Sequence, residues 1–205
     1  WVGSVLMIVA LRSDVTAENV ADGLEETHPT ALYFKGREVK LWEGFLGRYL
    51  IFGLIALIQA TILCLGELFF LKVQRAHPWE FMCTGWFMAV VFSFLLYTFI
   101  ATFGNAGKAL GVLFLVLQIS ASGGAFPLDI LPSFFRSISP YLPATHGITA
   151  LRASIAGYSG NEYLDAMLLL GAFALFAVVL GLGIRPFLIK NNRLLVEKLE
   201  STKLM

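Results

Sequence analysis

Residues 118–157 (QISASGGAFPLDILPSFFRSISPYLPATHGITALRASIAG) constrain this chain more than any other stretch. They lie between two long apolar runs and hold four of the seven prolines (Pro127, Pro132, Pro140 and Pro143) together with a Gly123-Gly124 pair. A loop in water has no use for Phe126, Leu128, Ile130, Leu131, Phe134, Phe135, Ile138, Tyr141 and Leu142 together. A plain membrane span does not hold four prolines with Asp129 and Arg136. What remains is a set of short broken helices that dip into a bilayer edge or cap a bundle. Non-helical backbone survives there only where protein or a wet cavity satisfies it.

The rest of the composition agrees with a membrane setting. The 205 residues are 58% apolar with a mean hydropathy of +0.77, and only 14% are charged, against about 25% in soluble domains. A net charge of +1 carries no bulk attraction to nucleic acid. Cys64 and Cys83 both fall in apolar runs, so no disulfide framework is indicated. They should lie at similar depth on neighbouring spans, where two buried thiols fit better than a bridge. The chain begins with Trp1 inside an apolar run and reads as the C-terminal part of a longer protein.

Taken in order, residues 1–11 are half the length needed to cross a bilayer and read as the end of a truncated span. Residues 12–46 form a polar loop. At its end Val39, Trp42, Phe45, Leu46 and Tyr49 recur at helical spacing, with Lys40, Glu43 and Arg48 between them. That pattern fits an interfacial amphipathic helix or the polar-flanked start of the next span. Runs at 47–71, 79–103, 109–121 and 163–184 read as further spans, with an external re-entrant segment at 122–162 and a charged tail at 185–205. The fold expected is an all-α polytopic helix bundle of about five spans.

Lys and Arg placement sets the orientation. With 12–46 on the cytoplasmic side, eleven basic residues (Arg12, Lys35, Arg37, Lys40, Arg48, Lys108, Arg185, Lys190, Arg193, Lys198 and Lys203) are inside and four (Lys72, Arg75, Arg136 and Arg152) are outside. The broken stretch is then external and the C-terminus cytoplasmic.

No catalytic or metal constellation emerges. His28, His77 and His146 are isolated, no pair has ligand spacing, and no phosphate-binding glycine loop or serine nucleophile elbow occurs. The chain is read as not an enzyme. Gln59, Gln118 and Ser120 are polar groups in or near spans that can line a polar path or bond freed carbonyls, and Glu67 fits snorkelling at an interface. Gly107 and Gly111 form a small-xxx-small pair suited to close packing within the subunit.

These residues carry a family resemblance. Ser122-Gly123-Gly124 leading to Phe126-Pro127, then Leu131-Pro132 with Phe134-Phe135, then Pro140 to Pro143, and Leu151-Arg152 resemble the signature blocks of the YhgE/Pip (phage infection protein) family. That family is a branch of the ABC-2-type exporter permeases. The opening Trp1-Val2-Gly3 and the turn at 103–108 are similar as well. The resemblance implies a bacterial plasma-membrane permease subunit that moves an amphiphilic or polymeric cargo. It implies a homo- or hetero-dimeric path and a separate ATP-binding cassette subunit as the only user of ATP, with no cofactor of its own. The segment before the last span would form the external re-entrant helices, and the loop holding Arg37, Lys40 and Trp42 would couple to the ATPase. The same resemblance leaves room for a membrane anchor or scaffold of a surface receptor or type VII secretion accessory protein.

Overall fold

The computed structural model describes residues 3–4, 41–72, 76–103, 105–124, 126–158 and 160–184. Helix α1 is Leu41–Phe69, α2 is Pro78–Phe103 and α3 is Asn105–Ala121. A 3-10 turn at Leu128–Ile130 leads to the short α4, Ser133–Ile138, and a second 3-10 turn at Ser139–Tyr141 leads to α5, Pro143–Ala156. Helix α6, Glu162–Val178, runs on through a π-helical turn at Val179–Ile184. The described residues form an all-α bundle in which α1, α2 and, together with its π-helical turn, α6 are long and apolar enough to cross a bilayer.

The centre of the bundle is α2, which packs against α1, α3, α5 and α6. Its residues from Val91 to Thr98 are buried without interruption, as expected of a helix apolar on every side with neighbours all round. Helix α1 runs antiparallel to it and is joined by polar bonds as well as apolar packing. The Tyr97 hydroxyl donates to the Phe45 carbonyl at 2.9 Å, Tyr49 to the Val90 carbonyl at 3.0 Å, and the Trp86 indole to Thr61 Oγ1 at 2.9 Å. Phe45, Tyr49, Phe52, Phe94 and Tyr97 pack edge-on and tilted into one aromatic core between the two helices.

That core corrects a boundary. Helix α1 begins at Leu41, inside the stretch expected to be loop, and continues unbroken. Of the two readings of 39–49, the structure has the start of the next span, because Phe45 and Tyr49 are drawn against α2 instead of lying along a surface. The fourth run begins earlier than expected, at Asn105. Apart from Gly3 and Ser4, the expected truncated span, residues 12–40 of the loop and the tail at 185–205 lie outside the described residues.

Helix α3 also runs antiparallel to α2, and its two glycines make the approach possible. A side chain at Gly107 would collide with the Phe99 carbonyl, and one at Gly111 would lie 2.9 Å from Leu96 Cδ2. The small-xxx-small pair is therefore used inside the subunit. Cys64 is buried against Gly85, and both cysteines are free.

The position of α5 defines the cap. Its C-terminal end lies beside the start of α2, where the Ala76 and His77 amides donate to the Ile155 and Ser154 carbonyls, each at 3.0 Å. Its N-terminal end lies far down α2: Ala144 packs with Val91, Phe92 and Leu170. At 1.5 Å per residue, Val91 is roughly 20 Å below Pro78, about half-way along α2. The chain thus ascends through α3, turns back at 122–142 to mid-depth, ascends again in α5 and descends in α6. This is a re-entrant hairpin built from the broken stretch.

Candidate functional site: the re-entrant cap

Breaks in helix within the cap free backbone carbonyls, and side chains take several of them. Helix α3 has only 17 residues, about 25 Å, short of the roughly 30 Å of a hydrocarbon core. Its chain reverses at Gly123, whose φ of +75° suits only glycine without strain. The Gly123 carbonyl accepts Arg152 Nη2 at 2.6 Å from the far side of the hairpin. At the next break, Arg136 Nη2 donates to the Asp129 carbonyl at 2.8 Å, with the Leu131 carbonyl at 3.4 Å.

The tip is closed the same way. Thr145 Oγ1 donates to the Ser139 carbonyl at 2.7 Å, and the two hydroxyls lie 3.2 Å apart. His146 Nε2 lies 2.8 Å from the Pro140 carbonyl, which requires its hydrogen on Nε2. The His146 ring rests against Phe173 of α6 at 5.9 Å. Ser139, Leu142, Pro143 and Ala144 are buried, so the tip is packed and not open. Pro140 and Pro143 have no N–H to satisfy, which suits both to a turn at this depth.

Against this framework the residues read from the sequence separate. Ser122, Gly123 and Arg152 lie at the hinge, and Pro140 and Pro143 at the tip. Gly124 leaves room for Ile148. Pro127 and Pro132 precede the first 3-10 turn and α4. Phe126 and Phe134 face outward, whereas Leu131 and Phe135 are half-buried. Gln118 is only 2% exposed, and neither amide atom has a hydrogen-bond partner among the described residues. Ser120 is half-buried on the same helix, and Glu67 is exposed. Gln59 lies on α1 against Gly3. Gln59 and Gln118 sit on α1 and α3, which both pack on α2, and no hydrogen bond joins them among the described residues. Of the coupling residues, Arg37 and Lys40 lie outside the described residues, and Trp42 falls within α1.

A second polar cluster, at the Pro78 end, escaped the sequence reading. Tyr158 donates to Glu80 Oε1 at 3.0 Å, Tyr163 donates to the Glu80 carbonyl at 3.3 Å, and Thr84 Oγ1 lies 3.1 Å from the Tyr163 hydroxyl. Tyr158 stacks on Tyr163 at 5.6 Å and lies 5.3 Å from His77. Residues 77, 80 and 84 lie some 75 to 85 positions before 158 and 163, so no local spacing announces them. Thr145 and His146 were missed for a related reason. Their partners lie six residues back, a spacing that belongs to neither helix nor strand.

With this geometry in place, the class is defined: a membrane helix bundle with a re-entrant hairpin before its last span. The profile of the ABC-2 family transporter proteins matches residues 37–182, and the chain belongs to that family. It is 32% identical over 159 residues to the uncharacterized protein YhgE of Bacillus subtilis strain 168. That match takes in 77% of this chain but only 20% of YhgE, so the chain spans about a fifth of its relative's length. No solved structure matches it. The YhgE resemblance read from the motifs therefore holds, and the chain is a membrane component of a transporter family.

Two outcomes follow from the hydrogen bonds. Arg152→Ala leaves the Gly123 carbonyl unpaired and is expected to destabilise the cap by about 1–3 kcal/mol. Amide hydrogen exchange across 122–131 should accelerate accordingly, less so in Arg152→Lys. Unchanged exchange in the alanine variant would show that Arg152 does not pin the turn. The second concerns Tyr158, in the link between α5 and α6. Its hydrogen bond to the Glu80 carboxylate holds the proton on the phenol, with partial desolvation and nearby negative charge acting the same way, and its pKa is raised. A raised folded pKa stabilises fully below the unfolded value near 10. The contribution disappears as pH climbs through the folded value. Tyrosinate absorbance, read as the difference from Tyr158→Phe, should show Tyr158 ionising late, and earlier in Glu80→Gln.

Proposed function

We propose that the chain is the membrane permease part of an ABC-2-type exporter, with the re-entrant cap as its outer lid. The observation that carries this reading is the hairpin whose tip sits at mid-depth between α2 and α6. A segment that only anchored another domain has no need for helices broken inside the bundle with several freed carbonyls taken up by side chains. Lys and Arg counts support the cap facing outward and the C-terminus facing the cytoplasm of a bacterial plasma membrane. The exposed Phe126, Phe134 and Tyr141 favour an amphiphilic or polymeric cargo over a small ion. In this reading a separate ATP-binding cassette subunit hydrolyses ATP and pushes on the loop bearing Arg37, Lys40 and Trp42. Two permease copies, or two related ones, enclose the path.

The anchor reading is favoured by one fact, that the relative YhgE is about five times as long as the matched part. Co-purification separates the two. Reversing charge in Arg37→Glu/Lys40→Glu is expected to remove an ATP-binding subunit from the complex captured from membranes, with the amount of chain in the membrane unchanged. If the unaltered chain captures no such subunit, or the reversed one captures it equally, the coupling role fails and the anchor reading gains.

A further inference from the structure

The two arginines of the cap are only partly used by the fold. Arg152 and Arg136 each spend Nη2 on neutral backbone carbonyls, and neither forms an ion pair among the described residues. Their acceptors lie six residues apart in the chain. The Gly123 acceptor of Arg152 packs on Leu128, with Leu128 Cγ 3.0 Å from a side-chain position at Gly123, and Asp129, the acceptor of Arg136, is the next residue. Asp129 is the one acid between 118 and 161, against two arginines, so the cap carries net positive charge.

Depth and exposure supply the rest. Arg152 lies four residues before the end of α5, about 6 Å below the helix end at the Pro78 side. With the Pro78 end of α2 at the bilayer boundary, that depth corresponds to headgroups and glycerol backbones. Exposed apolar side chains follow along the same segment. Phe126, Ile130, Phe134 and Tyr141 are exposed, Ile130 by 70% and Tyr141 by 75%, and Tyr141 adjoins the buried tip at mid-depth. Cation at the boundary and aromatics below it match the two halves of one molecule.

We propose that the cap binds an anionic phospholipid, with the phosphate between Arg136 and Arg152 and the acyl chains along Phe126, Ile130, Phe134 and Tyr141. A guanidinium offers several N–H donors in a fixed fork, and a phosphodiester takes them through two oxygens. Donation to a carbonyl and to a phosphate is compatible, because each arginine keeps further N–H groups. The site depends on the bilayer placement of the bundle and not on transport, so its failure leaves the exporter reading intact.

Native mass spectrometry of the full chain in neutral detergent tests this, with phosphatidylglycerol and phosphatidylcholine of matched chains as probes. Phosphatidylglycerol is expected to bind at least about fivefold more tightly. Arg136→Gln/Arg152→Gln, which keeps an amide donor for each carbonyl but removes both charges, should abolish that preference. Arg136→Gln alone leaves the Gly123 turn pinned and should reduce the preference, so the test does not depend on the double variant folding. Phe134→Ala should weaken both lipids alike. Equal binding of the two lipids by the unaltered chain, or an undiminished preference in the glutamine variants, overturns the proposal. Displacement of the lipid by millimolar glycerol phosphate also overturns it, since the site would then take a soluble anion.

Discussion

A carbonyl released from a helix inside a bilayer has no water to turn to, and leaving it unpaired costs about 1–3 kcal/mol. The cap is arranged around that constraint. Among the described residues three helices are long and apolar enough to cross, while α3 has 17 residues and the chain reverses where it ends. Arg152, Arg136, Thr145 and His146 then each take a carbonyl freed by a break. Two prolines at the tip remove donors that would otherwise need partners. Tight packing of Leu142 and Pro143 excludes the remaining space.

The two strands of the hairpin are held differently. Helix α5 is tied to α2 along its whole length: by the Ala76 and His77 amides at one end, by Gly147 against Met88 in the middle and by Ala144 at the tip. The Glu80, Tyr158 and Tyr163 cluster fastens the start of α6 to the same place. The descending strand, 122–142, is held by its apolar contacts with α3 and by a few side-chain bonds, chief among them Arg152 to Gly123. The reversal at Gly123 is where that strand departs from α3.

Much of this was legible in the sequence and some was not, for physical reasons. Apolar runs announce spans because a bilayer demands length and composition, and both are written residue by residue. The broken stretch announced a re-entrant segment because prolines and Gly123-Gly124 among aromatics exclude both a loop and a span. The start of α1 was ambiguous because Phe45 and Tyr49 at helical spacing serve a surface helix and a core helix equally. Only their partners on α2 decide it. Arg152 was singled out by its place in a motif, but its acceptor is 29 residues away, across the hairpin. Gln118 was marked as a polar group in an apolar run. Its burial with no partner among the described residues depends on how α3 meets α2 and the cap, which no local pattern encodes.

The central claim is the depth of the tip, and it is open to direct measurement. A nitroxide at Tyr141→Cys, in a chain with Cys64 and Cys83 replaced by serine and reconstituted in a bilayer, reports its surroundings through collisions with oxygen and with a polar nickel complex. The re-entrant account predicts a site reached by oxygen and shielded from nickel, as deep as a label on the lipid-facing Ile58 of α1. Ready collision with nickel, matching a label at Trp79 near the boundary, would place the tip in water and contradict it.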